Sequence, residues 1–397
     1  MPVIPGTDTL RPSNGTNRKR GKLSKEPVNR FKFIGGIALS LALVGGLALA
    51  LLSEGGTTST ETATASARSE FFGITQGIRL DDQDLQTMAE TGVGEDRIQL
   101  MWGSVQPNRG SFNWGPTDEL IGAFASHGIR AVPFVWGSAR WVASTPAHPP
   151  IDSAPDVQAW QDFLRAAVVR YGRGGSYWAT AYPQQYGDDA KPLPIQSWQI
   201  WNEPNLKKYF APSPSVAQYA RLLQISHDAI KKKDPHARIV LAGMPGYGDI
   251  NAWDFLDSLY SAPGTERDFD VVALHPYASD LDQLRLGIEK VREVMRKRGD
   301  QHTPLWITEL GWGSAPPDHF GLNKGLSGQE RLLSSSFKLI LRHRTAWNVQ
   351  RVFWFDWRDP ANPEVVECSF CASAGLLNFN RRPKPAYDAF KRFASAR

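Results

Sequence analysis

The chain has 397 residues, of which 41% are hydrophobic and 21% charged, with 14 tryptophans; this excludes a wholly disordered chain and leaves room for one large domain or two ordinary ones. The formal net charge of +5 is concentrated at one end: residues 1–32 hold eight bases (Arg11, Arg18, Lys19, Arg20, Lys22, Lys25, Arg30, Lys32) against Asp8 and Glu26, a local net of +6 that leaves −1 for everything else. The globular part therefore carries no basic footprint for nucleic acid.

Residues 1–32 are polar, basic and rich in Gly, Pro, Ser and Asn, the composition of a disordered tail. Residues 33–52 follow with no charged side chain. At the helical rise such a run spans about 30 Å, the hydrocarbon thickness of a bilayer. Bases crowd its N-terminal flank, so a single transmembrane helix with a cytoplasmic N-terminus and an extracytoplasmic C-terminal domain is expected. A cleaved secretion signal, giving a secreted protein, is the rival; its apolar core usually runs about 7–15 residues, and the nearest Ala-x-Ala patterns (residues 63–65 and 65–67) lie well past the run. Residues 53–68 read as a Gly/Thr/Ser linker.

From residue 69 to 397 strands alternate with helices. Near-continuous apolar or β-branched runs place strands at 70–74, 96–102, 130–136, 195–201, 238–242, 269–275, 305–309 and 350–355. Helical periodicity places helices at 82–91, 117–127, 156–171, 215–233, 252–261, 281–298, 329–344 and 386–394. Ser213 or Ser215 can cap the fourth helix and Pro235 close it, while Gly299 ends the sixth. Eight strands each followed by a helix is the count of a (β/α)8 barrel. A doubly wound open sheet would want a Gly-rich phosphate turn after its first strand, and residues 73–77 (Gly-Ile-Thr-Gln-Gly) do not match one.

Two of the strands end on a glutamate: Trp201-Asn202-Glu203-Pro204 closes the fourth and Trp306-Ile307-Thr308-Glu309-Leu310-Gly311 the seventh. In a barrel these strands face each other across the C-terminal mouth, where barrel active sites sit. Two opposed carboxylates are the minimal equipment for cleaving a glycosidic bond. A lone glutamate is more often a solvated loop charge; a pair at these two strand ends, each within Trp-rich sequence, is not. Pro204 should keep Glu203 out of the helical region and its chain extended. Asn202 is placed to hydrogen-bond a sugar hydroxyl. Arg97, a charge inside an apolar strand that needs a partner, can hold Glu309 ionised. His275-Pro276-Tyr277 ends the sixth strand. Trp354 in the eighth strand would floor a sugar subsite, with Trp136 after the third as a further wall; Trp102, Trp141 and Trp312 are weaker candidates, since large aromatics are usually core.

Trp201-Asn202-Glu203-Pro204 resembles the acid/base signature of the clan A glycoside hydrolases, and Trp306-Ile307-Thr308-Glu309-Leu310-Gly311 resembles their nucleophile strand, in the style of families 39 and 5. The resemblance implies a retaining double displacement with Glu309 as nucleophile and Glu203 as acid/base, Arg97 and Tyr277 attending the nucleophile and His275 beside Tyr277. Carboxyl groups about 5–5.5 Å apart then resist ionising together, leaving one able to hold a proton. Transglycosylation on the same site, and a non-catalytic carbohydrate-binding surface protein, remain as alternatives.

Other chemistries find little support. There is no H-E-x-x-H, no G-x-S-x-G and no Walker loop, and the remaining histidines lack ligand spacing. No metal and no cofactor are expected; carbohydrate is the expected partner. Cys368 and Cys371 form a C-x-x-C without further zinc ligands nearby, and a local disulfide is the better reading for a domain outside the cytoplasm.

Overall fold

The computed structural model describes residues 70–362 and 368–395. The expected tail, membrane helix and linker lie outside the described residues. Among the described residues no helix is long and apolar enough to cross a membrane.

The strands are β1 (Phe72–Thr75), β2 (Glu95–Met101), β3 (Arg130–Trp136), β4 (Ser197–Ile200), β5 (Arg238–Val240), β6 (Met244–Pro245), β7 (Val272–His275), β8 (Leu305–Leu310) and β9 (Val349–Phe355). All pairings are parallel, in the order β5-β4-β3-β2-β1-β9-β8-β7-β6. β5 and β6 are two segments of one stretch. Asp270 N donates to Ile239 O at 2.8 Å and Leu241 N to Val271 O at 2.9 Å, joining that stretch to β7 as well as to β4. The strands thereby close into the (β/α)8 arrangement. Helices Asp82–Thr91, Gly115–Ser126, Ala154–Tyr171, Val216–Lys231, Ala252–Tyr260, Leu281–Lys297, Gly325–Arg342 and Pro385–Ala394 surround them.

Local chemistry sets the helix starts. Asp81 and Asp84 form a reciprocal capping box, and Ser153, Ser215 and Asp280 each accept a backbone N–H of the first turn. The fourth helix ends at Lys231, before the expected stop at Pro235. Gly299, at φ 78°, follows the helix ending at Lys297.

Side-chain alternation divides the strands between two cores. Val132, Val240, Val271, Ala273, Trp306 and Phe353 form a small cluster of their own inside the barrel. Their strand neighbours, among them Ile74, Ile98, Ile307, Val352 and Trp354, belong to the larger cluster shared with the helices. Below the mouth, Arg351 pairs with Glu95 at 2.8 Å and lies 4.3 Å over the Trp306 ring; burial still pushes the Glu95 carboxyl above its ordinary value.

Alternation decides one expectation against the sequence reading. Phe353 points into the barrel, so Trp354 points out: it is fully buried, 6.1 Å from the Trp312 ring and 6.3 Å from the Phe337 ring. Trp354 is helix-side core, and its neighbour Phe355 reaches the mouth instead.

Candidate active site

Strict alternation would also have turned Glu309 away from the mouth. In β8, Trp306 is inside, and Ile307 and Leu310 pair with the outward Val352 and Trp354. Two residues on β8, Thr308 and Glu309, therefore stand opposite one on β9, Phe353. That bulge inserts one extra residue, so Thr308 and Glu309 both face the interior, a known use of bulges near active sites. Thr308 O accepts the Thr75 hydroxyl at 2.7 Å, and Thr308 Oγ1 lies 3.4 Å from Gln199 Nε2.

Glu309 is held from two sides. Arg97 Nη1 donates to Oε1 at 2.7 Å, and Tyr277 Oη donates to Oε2 at 2.8 Å. Arg97 is fully buried and lies 4.1 Å over the Phe134 ring. Its Nε donates to Gln199 Oε1 (2.5 Å) and its Nη2 to Asn202 Oδ1 (2.8 Å), so each of the three guanidinium nitrogens is bonded and the group is held in place. Burial lowers its pKa, with Glu309 opposing. Desolvation and the adjacent Glu309 push the hydroxyl of partly buried Tyr277 well above the usual phenol value, so it stays a donor. Gln199 was not among the predicted residues. Its signal was a single amide in the apolar run of β4, and its Nε2 also donates to Leu241 O at 2.9 Å.

Glu203 sits past the end of β4 in a left-handed backbone conformation, φ 43°, with Trp201 at φ 73°. The extended conformation expected from Pro204 is thus corrected. The proline does exclude the right-handed helix, but Glu203 N bonds Gly243 O (3.0 Å) and Leu206 N bonds Glu203 O (2.9 Å), and these fix a turn. Two non-glycine residues at positive φ cost on the order of 1–3 kcal/mol each, the sort of local strain that surrounding structure holds at functional sites. Here the indole of Trp201, fully buried and bonded to Tyr209 O at 2.7 Å, anchors the turn.

His275 lies behind both carboxylates, with no solvent exposure. Nδ1 is 2.7 Å from Glu203 Oε1 and Nε2 is 3.6 Å from Glu309 Oε1. Burial pushes its pKa down to about 3, with Glu309 opposing, so the ring is neutral at working pH. Gly243 makes room for it, since a Cβ there would fall 2.0 Å from His275 Nε2. Glu203, His275 and Glu309 each present one oxygen or nitrogen within 4.8 Å of the others. Such a trio can ligate a metal ion, but Arg97 already donates to Glu309, and a second cation would meet like charge at close range.

The carboxylates open onto a cleft of about 870 Å³ lined by Arg97, Trp136, Asn202 and Tyr277 from the predicted set. Trp136 is edge-on to Trp201 (6.0 Å) and Tyr209 (5.8 Å). The structure thus brings Glu203, Glu309, Asn202, Arg97, Tyr277 and Trp136 to one cleft, places His275 beneath it, and leaves Trp354 out. Trp102 and Trp312 are fully buried, each with its indole N–H bonded internally (Gln106 Oε1, Ala278 O). Sequence reasoning missed Gln76, Gln99, Tyr247, Phe320, Phe355 and Phe370 on the lining; Gln99, exposed within the otherwise buried β2, was the most visible of them. Cys368 and Cys371 are joined by a disulfide at the cleft edge.

Residues 178–379, just over half of the chain, match the family model described as the glycosyl hydrolase catalytic core. A β-xylosidase of Geobacillus stearothermophilus is 24% identical over 261 residues, 60% of this chain and 46% of that protein. Endo-1,4-β-xylanase 1 of Gibberella zeae is 30% identical over 129 residues, 31% of this chain and 35% of that protein. The matches thus span less than half the length of these curated relatives. Among solved structures, a family 39 glycoside hydrolase of Bacteroides cellulosilyticus superposes with a TM-score of 0.61 at 19% identity, covering 83% of this chain and 64% of that one, a likeness of fold.

Proposed function

Because the chain belongs to the glycosyl hydrolase catalytic core family, we propose that its cleft cleaves β-glycosidic bonds by a retaining double displacement. The observation that carries this reading is the approach of Glu203 and Glu309, which present carboxylate oxygens within 4.8 Å of each other. Retaining enzymes hold the two groups about 5–5.5 Å apart, whereas inverting ones leave about 6.5–9.5 Å for a water.

Glu309 attacks the anomeric carbon while Glu203 gives its proton to the leaving oxygen. Glu203 then takes a proton from the incoming water, whose oxygen displaces Glu309. The surroundings divide the two carboxylates accordingly. Arg97 and Tyr277 both donate to Glu309, one to each of its carboxylate oxygens. The contact between neutral His275 and Glu203 holds a single proton. When that proton sits on Glu203, the other ring nitrogen carries its hydrogen and faces Glu309 at 3.6 Å, an attraction. When it moves to His275 Nδ1 with that hydrogen still in place, the ring becomes an imidazolium, which burial disfavours. His275 therefore favours an acid at Glu203 opposite an anion at Glu309.

The substrate class we infer is a β-linked pyranoside, with β-xylosides first in view of the names of the matched relatives. The reading is tested by screening aryl β-xyloside, glucoside, mannoside and galactoside, then incubating with the 2-deoxy-2-fluoro glycosyl fluoride of the preferred sugar. Fluorine at C2 disfavours the oxocarbenium-like transition states while fluoride leaves readily, so a glycosyl-enzyme accumulates. Peptide mapping should find the sugar on Glu309; a label on another residue sinks the assignment. Transfer to an added acceptor sugar in place of water distinguishes transglycosylation by its products.

We further place the barrel on the outer side of a membrane, held by residues 33–52. The uncharged run, its basic N-terminal flank and the disulfide between Cys368 and Cys371 support this placement. Protease added to intact cells should digest the barrel; protection until lysis would reverse the topology.

A further inference from the structure

The cleft wall on the acid side carries an aromatic ring that internal packing does not account for. Tyr247 lines the cleft with 52% of its surface exposed. It is nonetheless fixed. Its hydroxyl donates to Gln283 Oε1 at 3.1 Å, and its ring stands edge-on to Trp253 at 5.3 Å. Trp253 is in turn covered by Lys290, 4.1 Å over its face. An exposed ring pinned by its polar tip and one edge presents a prepared apolar surface to whatever enters the cleft.

The position of that surface relative to the scissile bond follows from the backbone. The turn that carries Glu203 is laced to the loop that carries Tyr247. Asn205 Nδ2 donates to Pro245 O (3.1 Å) and Ile250 O (2.8 Å), Ile250 N donates to Asn205 O (3.2 Å), and Lys207 N donates to Asp249 Oδ2 (2.6 Å). Glu203 must sit beside the oxygen it protonates, so the departing group lies on this side, and the sugar attacked by Glu309 lies toward β2 and Arg97. The C–H face of a pyranose packs on an aromatic ring.

We propose that Tyr247 is the platform for the leaving group and that this group is itself a sugar: the protein cleaves between two sugar units, in β-linked oligosaccharides, in preference to releasing simple aglycones. This deepens the reading of Glu203 and Glu309 given above and rests on it.

The test compares Tyr247→Ala and Tyr247→Phe with the parent on two substrates of the preferred sugar, a β-linked disaccharide and the β-glycosyl fluoride. Fluoride offers no ring to stack. Tyr247→Ala is expected to lose about tenfold in kcat/KM on the disaccharide, the upper end of one stacking contact, and to stay within about twofold on the fluoride. Tyr247→Phe keeps the ring and should retain most disaccharide activity. Equal losses on both substrates, no loss on either, or a phenylalanine variant as impaired as the alanine one would overturn the proposal. Turnover of the fluoride also reports that each variant is folded. Glu309→Gln checks the underlying reading separately: if it leaves both substrates turning over, the failure lies with the assignment of the carboxylates and not with Tyr247.

Discussion

Replacing Glu309 with glutamine is expected to lower kcat by about 10⁵-fold on every β-glycoside the protein turns over, the scale seen when a nucleophile is removed from a catalytic unit. The amide matches the carboxylate in shape but does not attack an anomeric carbon. The same change should also unsettle the fold. Arg97 is fully buried, and its other side-chain partners, Gln199 and Asn202, are neutral. Without Glu309 its positive charge loses a carboxylate hydrogen-bonded to it at 2.7 Å, a loss that costs on the order of 3–5 kcal/mol at buried sites. Calorimetry should therefore show a clear drop in Tm alongside the kinetic defect. Activity within tenfold of the parent would refute the nucleophile role. An unchanged Tm would mean that the buried guanidinium does not depend on Glu309 for its charge balance.

The sequence disclosed the barrel well because parallel strands buried on both faces read as apolar blocks, and helices between them declare their starts with Asp and Ser caps. It located the two glutamates because each stands in a short, distinctive stretch. It could not supply the registers. Val352-Phe353-Trp354-Phe355 offers no polar residue to mark the inner face, so the choice between Trp354 and Phe355 as cleft residue depends on pairings such as Gly73 with Phe353. The bulge that turns Glu309 inward is a property of β8 against β9 and leaves no mark in β8 alone. The turn at Glu203 depends on a bond to Gly243, on the next strand stretch. Tyr247, on the loop after β6, meets Gln283 in the first turn of the helix Leu281–Lys297, a contact that no periodicity predicts. What stayed hidden was in each case set by long-range contact. The exception was Gln199, a polar residue within β4 whose position alone marked it as the partner of something buried.

Removing the acid/base should produce a pattern that no merely structural residue gives. Glu203→Ala is expected to lose about 10²–10⁴-fold on a β-linked disaccharide, whose leaving oxygen must be protonated. On the glycosyl fluoride the first step needs no proton and should survive within about tenfold. The second step then limits turnover, because no base remains to activate water. Azide is a small anion that needs no deprotonation, and the missing carboxylate leaves room for it beside His275 Nδ1, which is 2.7 Å from Glu203 Oε1 in the parent. Added azide should restore turnover and give the β-glycosyl azide, because the anion enters on the face that the leaving group vacated. Stability should change little by comparison with Glu309→Gln, since His275 is neutral and loses one hydrogen bond, about 1 kcal/mol. An α-azide product would reveal attack without a covalent intermediate, and the absence of any rescue would remove Glu203 from the proton-transfer role. The two substitutions thus differ in kind as well as size: one leaves a buried cation without its anion and no covalent intermediate, the other spares the fold and stops the cycle at an intermediate that a stronger nucleophile can release.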